Sequence, residues 1–206
     1  MPLTRKLRTV ARLVRENPGE LLRALRGRTE SMVVFGANVD ALAPLTPRER
    51  GDFRPLNEQE LRTLPMPEDF RAEQLERAQR QAGARAFGVM CDGALAHVSW
   101  LYDRVAEGMS PPRYLDLAPH EGEISACVTL PDFRGRGVYG IAIRGIAEVA
   151  RADGIVRIYM KTAPANVASQ RGIVKAGLAR CGQVTRVFLP LRPSGTGLML
   201  RRFRRS

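Results

Sequence analysis

The sequence predicts an α/β (α+β) protein in which strands and helices share one core. Short runs of β-branched and aromatic residues alternate along the chain with segments whose apolar residues recur at helical spacing. The 206 residues are enough for one substantial core and too few for two ordinary enzyme domains. We therefore expect a single domain over residues 31–206, preceded by a basic amphipathic helical extension over residues 1–30.

The composition is typical of a globular protein. Hydrophobic residues make up 44% of the chain and charged residues 26%. No apolar run approaches the roughly 20 residues that a membrane-spanning helix needs. The 3 cysteines are widely spaced and form no CxxC pair, which predicts reduced thiols and no bound metal. We expect a cytoplasmic protein.

The net charge of +12 favours an anionic partner, which could be nucleic acid, anionic lipid or a phosphorylated ligand. A strongly cationic small molecule such as a polyamine is a poor partner, because like charges repel on approach. A nucleic-acid-binding module is one candidate function. Aromatic residues are only 6% of the chain, however, and single-stranded nucleic acids are usually held on exposed aromatic side chains.

Residues 1–30 predict two short basic helices. In the first, apolar residues fall on one helical face and arginines on the other, and the second follows Pro18. The arginines could simply be solvated while the helices pack on the domain. Alternatively, the extension binds an anionic membrane surface or another partner, which would make the protein peripheral to the membrane.

From residue 31 to residue 130 the pattern predicts four strands and two helices. A first strand at 32–35 is followed by a polar, Pro-rich loop at 43–55 and by two helices within 58–80. The turn Cys91-Asp92-Gly93 joins strands at 84–90 and 94–102 into a hairpin. A further strand at 123–130 is ended by Pro131.

A glycine-rich turn between a strand and a helix is the strongest chemical signal in the sequence. Residues 133–140 read FRGRGVYG and lead into an apolar helical stretch at 141–150. Such a turn binds phosphate, because glycines let the backbone approach an anion and the free N–H groups of the helix start point toward it. Arg134 and Arg136 add positive charge. The turn is neither a Walker A loop nor a dinucleotide fingerprint.

This turn resembles the R/Q-x-x-G-x-G/A motif of the GNAT superfamily of acyl-CoA-dependent N-acetyltransferases, whose backbone amides hold the pyrophosphate of coenzyme A. Arg134 and Gly137 match the motif. Tyr139 stands where the family usually has glycine or alanine, so we expect its side chain to point away from the phosphates and Gly140 to relieve the crowding. The resemblance implies coenzyme contacts along the whole turn, from Arg134, Gly135, Arg136, Gly137, Val138, Tyr139 and Gly140.

The segment downstream continues the resemblance. A predicted strand at 156–161 precedes Asn166-Val167-Ala168-Ser169 and a helix ending at Gly177, much as the family places N-x-x-S/A before a helix that ends in K-x-G-F. This implies that Asn166 and Ser169 lie against the coenzyme arm, while a helix cap is the alternative for Asn166. The resemblance covers 84–191 and implies a mixed, mostly antiparallel sheet with helices on both faces, closed by a strand at 197–203.

Acyl transfer from a thioester to an amine needs a polarised carbonyl, a neutral amine and a proton for the leaving thiolate. The resemblance implies that the carbonyl is polarised by backbone amides of Val128, Thr129 and Leu130, on a strand that splays from its neighbour. It implies Glu123 as the base, acting through water, with Glu121 and His120 as substitutes. The acid stays open, because Ile173 stands where many relatives have tyrosine. The candidates are Tyr102, Tyr114, Tyr139 and Tyr159, and direct protonation of the thiolate by water or by the amine is a further alternative.

The sequence therefore predicts an N-acyltransferase that moves an acetyl or other acyl group from coenzyme A to a primary amine of a small molecule. A long polar loop at 103–122 favours an amino sugar or an amino acid as acceptor, through Arg104, Arg113, Asp116 and His120. Two alternatives keep the fold. In one, an acidic acyl carrier protein supplies the acyl group and uses the basic surface; in the other, the protein binds coenzyme A without catalysis.

Overall fold

A seven-stranded mixed sheet organises the part of the chain that the computed structural model describes, which is residues 28–80, 83–103, 115 and 117–188. The strand order is β2-β3-β4-β5-β6-β1-β7, and every neighbouring pair is antiparallel except β5–β6. The strands are β1 (Arg28–Asn38), β2 (Phe53–Leu56), β3 (Ala84–Cys91), β4 (Ala94–Tyr102), β5 (Glu121–Thr129), β6 (Arg157–Thr162) and β7 (Ala179–Phe188).

Helices cover both faces of this sheet, as expected. We number them α1 (Pro47–Asp52), α2 (Glu58–Thr63), α3 (Glu68–Arg80), α4 (Val138–Ala152) and α5 (Val167–Lys175). The α4 face of the sheet carries Phe35, Leu101 and Met160, which pack against α4 and α5. The α3 face carries Val98 and Trp100, which pack against α2 and α3. The predicted mixed, mostly antiparallel sheet is confirmed.

Helix α4 is the main anchor of the core. Its buried residues recur at helical spacing, so one apolar stripe faces the sheet. Ile143 and Ile146 are fully buried there, and burying each side chain contributes about 1.5–3 kcal/mol of transfer free energy. This packing fixes the start of α4, where the glycine-rich turn lies, relative to strand β5.

The N-terminal strand, β1, does not lie beside β2, which is the next strand in the chain. Strand β1 begins at Arg28, before the expected domain boundary at residue 31, and pairs with β6 on one side and β7 on the other. The strand beside β3 at that edge of the described sheet is β2, which follows α1 in the chain. The prediction of a plain loop over 43–55 is wrong, because that segment contains α1 and part of β2.

Helix α1 and strand β2 form for local reasons, but the sequence signals for both elements are weak. Helix α1 begins with Pro47 and is held by a capping box in which Thr46 and Glu49 bond each other's backbone amides. Strand β2 is four residues long and lies at the edge of the described sheet, the position that tolerates Pro55.

Strand β5 divides into two halves. Its first half, from Glu121 to Ile124, pairs with β6 throughout and with β4 at Glu123 and Ile124. From residue 125 onward it keeps β4 as a neighbour and separates from β6, and Ile124 with Met160 is the last pair that β5 and β6 share. The change coincides with a bulge at Ala126, which has a φ of 51°. We call residues 121–124 the closed half and residues 125–129 the open half.

Several expectations concern residues outside the described ranges. They are the helices within residues 1–27, the acceptor-loop residues Arg104, Arg113 and Asp116, the candidate Tyr114, and the closing strand at 197–203. None of the helices in the described part of the chain combines the length and the apolar character needed to cross a membrane.

Candidate active site

A cavity of about 510 Å³ opens on the α4 face, where the open half of β5 meets the starts of α4 and α5. The glycine-rich turn forms one side of it and the first turn of α5 forms another. Residues from four separate segments line it: His97, Cys127, Val128, Thr129, Arg134, Gly135, Gly137, Val138, Tyr139, Asn166, Ala168 and Ser169.

The turn that borders the cavity depends on two glycines. Gly135 and Gly137 have φ values of 78° and 80°, in the left-handed region that other residues adopt only with strain. A Cβ atom at Gly137 would meet no protein atom within 4 Å, so the backbone is open on that side. Arg134 is exposed, and its Nε donates to the carbonyl oxygen of Thr129 at 3.3 Å. The turn thus offers exposed backbone and a guanidinium at one edge of the cavity.

The start of α4 differs from the starts of its neighbours. In α1, α2 and α5 a side chain caps the first turn, through Thr46, Asn57 and Asn166 respectively. In α4 the N-cap residue is Gly137, no side chain caps the helix, and its first turn has no acidic residue. The first N–H groups of a helix have no partner within the helix and carry a partial positive charge. The start of α4 is therefore suited to bind an anion.

Asn166 caps a helix and also lines the cavity. Its Oδ1 accepts a hydrogen bond from the backbone N–H of Ser169 at 3.1 Å, which makes it the N-cap of α5. It also lines the cavity, together with Ala168 and Ser169. The cap consequently holds the first turn of α5 against the cavity.

In the open half of β5, the backbone amide of Thr129 faces the gap. The N–H of Leu130 donates to the carbonyl oxygen of Ala96 on the β4 side, at 2.9 Å. Successive N–H groups of a strand point to alternate edges, so the amide of Thr129 faces the side from which β6 has separated. Of the three amides expected to polarise the carbonyl, that of Leu130 is thus already bonded to β4, whereas that of Thr129 faces the gap.

His97 lies in the cavity wall as a neutral base. Its Nδ1 is 2.7 Å from Thr129 Oγ1 and its Nε2 is 2.6 Å from Ser99 Oγ. Burial lowers the pKa of His97 to about 3, so the imidazole is uncharged near neutral pH. It ties β4 to the open half of β5 by a side-chain bond, at the point where β6 no longer supports that half.

Tyr139 projects from the first turn of α4 toward α5. Its phenol oxygen is 3.3 Å from Ser169 Oγ, and burial raises its pKa, which keeps the phenol protonated. The ring packs where Gly172 lacks a side chain, since a Cβ there would lie 2.7 Å from the ring. Gly140 is the chain neighbour of Tyr139, and its expected role in relieving this crowding stays a prediction.

Cys127 is the nearest thiol to this phenol. Its desolvated surroundings raise its pKa to about 11, so it stays a neutral thiol. It is the thiolate, not the thiol, that acts as a nucleophile. Cys127 therefore contributes shape and weak hydrogen bonding to the cavity rather than covalent chemistry.

Glu123 lies in the closed half and does not line the cavity. Its side chain is on the α3 face, as shown by its pairing with Tyr102, and it is 1% exposed. One carboxylate oxygen is paired with the ammonium of Lys161, whereas the other, Oε2, is buried without a hydrogen-bond partner in the described structure. The substitutes are engaged elsewhere: Glu121 accepts from the Tyr159 hydroxyl, and His120 Nδ1 is 3.1 Å from the carbonyl oxygen of Gly154.

The structure brings most of the expected coenzyme-binding residues together at one cavity. Three lie outside its lining. Leu130 packs on the α3-face core, the Arg136 guanidinium stacks on the Phe133 ring at 5.3 Å, and Gly140 lies farther along α4. The nine that line the cavity are Val128, Thr129, Arg134, Gly135, Gly137, Val138, Tyr139, Asn166 and Ser169.

Sequence reasoning missed His97, Cys127 and Ala168. The one signal for His97 was its position on a strand otherwise made of apolar and small residues. Cys127 was read as structural. Neither residue belongs to a motif, because their proximity comes from the pairing of β4 with β5 around the bulge.

Comparison with known proteins agrees with this arrangement. Residues 54–177, more than half of the chain, match the model of the acetyltransferase (GNAT) family. No curated protein gave a significant match.

Solved structures show the same fold. A GNAT-family protein from Novosphingobium aromaticivorans superposes with a TM-score of 0.55 at 22% identity, over 77% of this chain and 63% of that one. A conserved protein of unknown function from Staphylococcus epidermidis gives 0.52 at 10% identity, over 82% and 65%. The chain thus spans just under two thirds of the length of each. With the family model matched over both sides of the cavity, we conclude that the chain belongs to the GNAT acetyltransferase family.

Proposed function

We propose that this protein is an N-acyltransferase that takes an acetyl or other acyl group from coenzyme A and transfers it to a primary amine of a small molecule. The observation that carries the proposal is the uncapped, glycine-led start of α4 at the edge of a cavity that reaches the open half of β5. Backbone amides that would bind an anion and an unpaired strand edge would then lie at one site.

The donor side of the reaction is assigned to the α4 face. The amides of Gly137, Val138 and Tyr139 would hold the pyrophosphate, with Arg134 adding charge at the same edge. Asn166 and Ser169 would bound the arm that carries the thioester. The partly apolar lining of the cavity suits a pantetheine chain, which has both methylene and amide groups.

The reaction forms a bond between the amine nitrogen and the acyl carbon, breaks the bond between that carbon and sulfur, and moves a proton from nitrogen to sulfur. The Thr129 amide, facing the gap, would donate to the carbonyl oxygen as charge builds on it. Tyr139 would donate its phenol hydrogen to the departing sulfur, because it is a protonated phenol in the cavity wall.

The amine would approach from the α3 face, on which Glu123 lies. Glu123 remains our proposed base, through its unpartnered Oε2 and an intervening water. Lys161 pairs with the other carboxylate oxygen. An amino sugar or an amino acid remains the proposed acceptor class.

The first experiment is calorimetric binding of acetyl-CoA to the wild type and to Gly137→Glu. The variant puts a bulky anion into the proposed phosphate site, so we expect one-to-one binding by the wild type and a loss of affinity on the order of 100-fold or more in the variant.

Gly154→Glu is the matched control. Gly154 has a φ of 76° and open space around its Cβ position, as Gly137 has, but it follows the other end of α4. Equal loss of affinity in both variants would mean that backbone strain, not the site, is responsible. Absence of acetyl-CoA binding by the wild type would overturn the proposal.

A further inference from the structure

Helix α5 has a second exposed surface beside the one that lines the donor cavity. A groove of about 490 Å³ runs along it on the α4 face. Its apolar floor includes Phe35, Val167 and Val174, and its rim carries Arg171, Lys175 and Arg180. Val167 and Val174 are 50% and 55% exposed, among the few large apolar side chains that the described structure leaves open to solvent. We call this surface the basic groove.

The cations of the basic groove have no carboxylate partners, in contrast to most other arginines of the described structure. Arg144 pairs with Glu49, Arg151 with Asp40, and Arg85 with two aspartates. Within the described residues, Arg171, Lys175 and Arg180 take part in no ion pair. A positive rim around an apolar floor complements an acidic protein surface that has an apolar centre.

Other segments of this chain are poor occupants of the groove. Residues 1–27 carry more Arg and Lys than Asp and Glu, and residues 189–206 carry Arg without any acidic residue. A second copy carries the same net charge of +12. Each would bring like charge to the rim. Nucleic acid matches the charge but not the apolar floor, since its phosphate backbone has no apolar surface to bury there.

The position of the groove indicates what the partner supplies. Val167 lies in the groove, while its chain neighbours Asn166 and Ala168 line the donor cavity. The proposed base Glu123 is on the opposite face of the sheet. A protein docked in the groove would thus lie on the side from which the thioester enters.

From these contacts we infer that the basic groove docks an acidic carrier protein that delivers the acyl group as a thioester on a phosphopantetheine arm. The inference rests on the proposed acyltransferase function and names a second source of its donor. The transfer step is unchanged: the amine nitrogen bonds to the acyl carbon, the bond between that carbon and the sulfur of the arm breaks, and the proton lost from nitrogen ends on the departing thiol.

The test measures binding of an acidic acyl carrier protein bearing an acetylated phosphopantetheine arm, and acetyl transfer from it, beside the same measurements with acetyl-CoA. Arg171→Glu should weaken carrier binding by on the order of tenfold and change acetyl-CoA affinity less than about twofold. Val174→Ser should weaken carrier binding by roughly threefold, through the loss of apolar contact.

Arg48→Glu is the control, because Arg48 is exposed, takes part in no ion pair and lies on α1. It should leave carrier binding within about twofold of wild type. Acetyl-CoA binding without carrier binding would overturn this inference and leave the proposed function standing; loss of both would overturn the two together. Binding of a DNA duplex that weakens in Arg171→Glu, with no carrier binding, would assign the groove to nucleic acid instead.

Discussion

The two halves of β5 share one strand and differ in what surrounds them. In the closed half, Gly122, Glu123 and Ile124 are buried between β4 and β6. In the open half, every residue from 125 to 129 is partly exposed, and β6 has separated from it. The bulge at Ala126 divides the halves. The comparison indicates that the candidate site lies where β5 no longer pairs with β6. The backbone groups that would bond β6 are free there to bond a ligand.

The largest stability effect should come from the closed half. Ile124 is 1% exposed and packs in the α4-face core, so Ile124→Ala should lower the free energy of unfolding by about 2–5 kcal/mol. Ser125→Ala, in the next residue but in the open half, should change it by less than about 1 kcal/mol. Chemical denaturation measures both. Equal effects would mean that the open half is as tightly packed as the closed half.

Acid should act on the open half through His97, which bonds Thr129. Its folded pKa of about 3 lies below the ordinary histidine pKa of 6.5, so between these pH values the unfolded chain binds a proton that the folded protein does not. Stability should therefore fall as pH drops from 6.5 toward 3, by up to roughly 1.4 kcal/mol per pH unit from this group.

Urea denaturation at a series of pH values, on wild type and His97→Gln, isolates this contribution. The low pKa of Glu49, about 2, is caused mainly by its bond to Arg144 and adds its own acid sensitivity in both proteins. A shallower pH dependence in the variant between pH 6 and pH 4 is expected. Identical slopes would mean that His97 is protonated in the folded protein.

The smallest expected effect concerns Tyr139, opposite the open half. If its phenol donates to the departing sulfur, Tyr139→Phe should lower kcat for acetyl transfer by roughly 10- to 100-fold, the usual worth of a hydrogen bond to a charged group. KM for acetyl-CoA should change by less than about threefold.

Tyr159→Phe removes a phenol that bonds Glu121 in the closed half and should leave kcat within about twofold. Steady-state kinetics on Tyr139→Phe and Tyr159→Phe test whether the Tyr139 phenol takes part in the reaction. An unchanged kcat in Tyr139→Phe would remove the phenol from the mechanism.

Sequence reasoning succeeded where the signal was local. The turn from Arg134 to Gly137 could be read because glycine spacing, flanking arginines and the following apolar helix all lie within about twenty residues. The strands at 84–90 and 94–102 were placed within a residue or so of β3 and β4. The α4 stripe followed from the same local periodicity.

Sequence reasoning failed where the geometry depends on segments that are far apart in the chain. The amino-acid sequence of β1 does not indicate that this strand lies between β6 and β7. Alanine at position 126 gives no hint of a positive φ, because the bulge is imposed by the pairing of β4 with β5. The ring of Tyr139 packs in the space that Gly172 leaves on another helix, a contact that the sequence around residue 139 does not indicate.

The contact between Tyr139 and Gly172 also links the two positions in evolution. With tyrosine at position 139, the Cβ of any side chain at position 172 would lie 2.7 Å from the ring. Substitutions in the first turn of α4 and in the middle of α5 are therefore not independent. A lineage could enlarge residue 172 only after residue 139 had become small. The two positions should therefore covary among homologues, with the bulk present on one helix or the other.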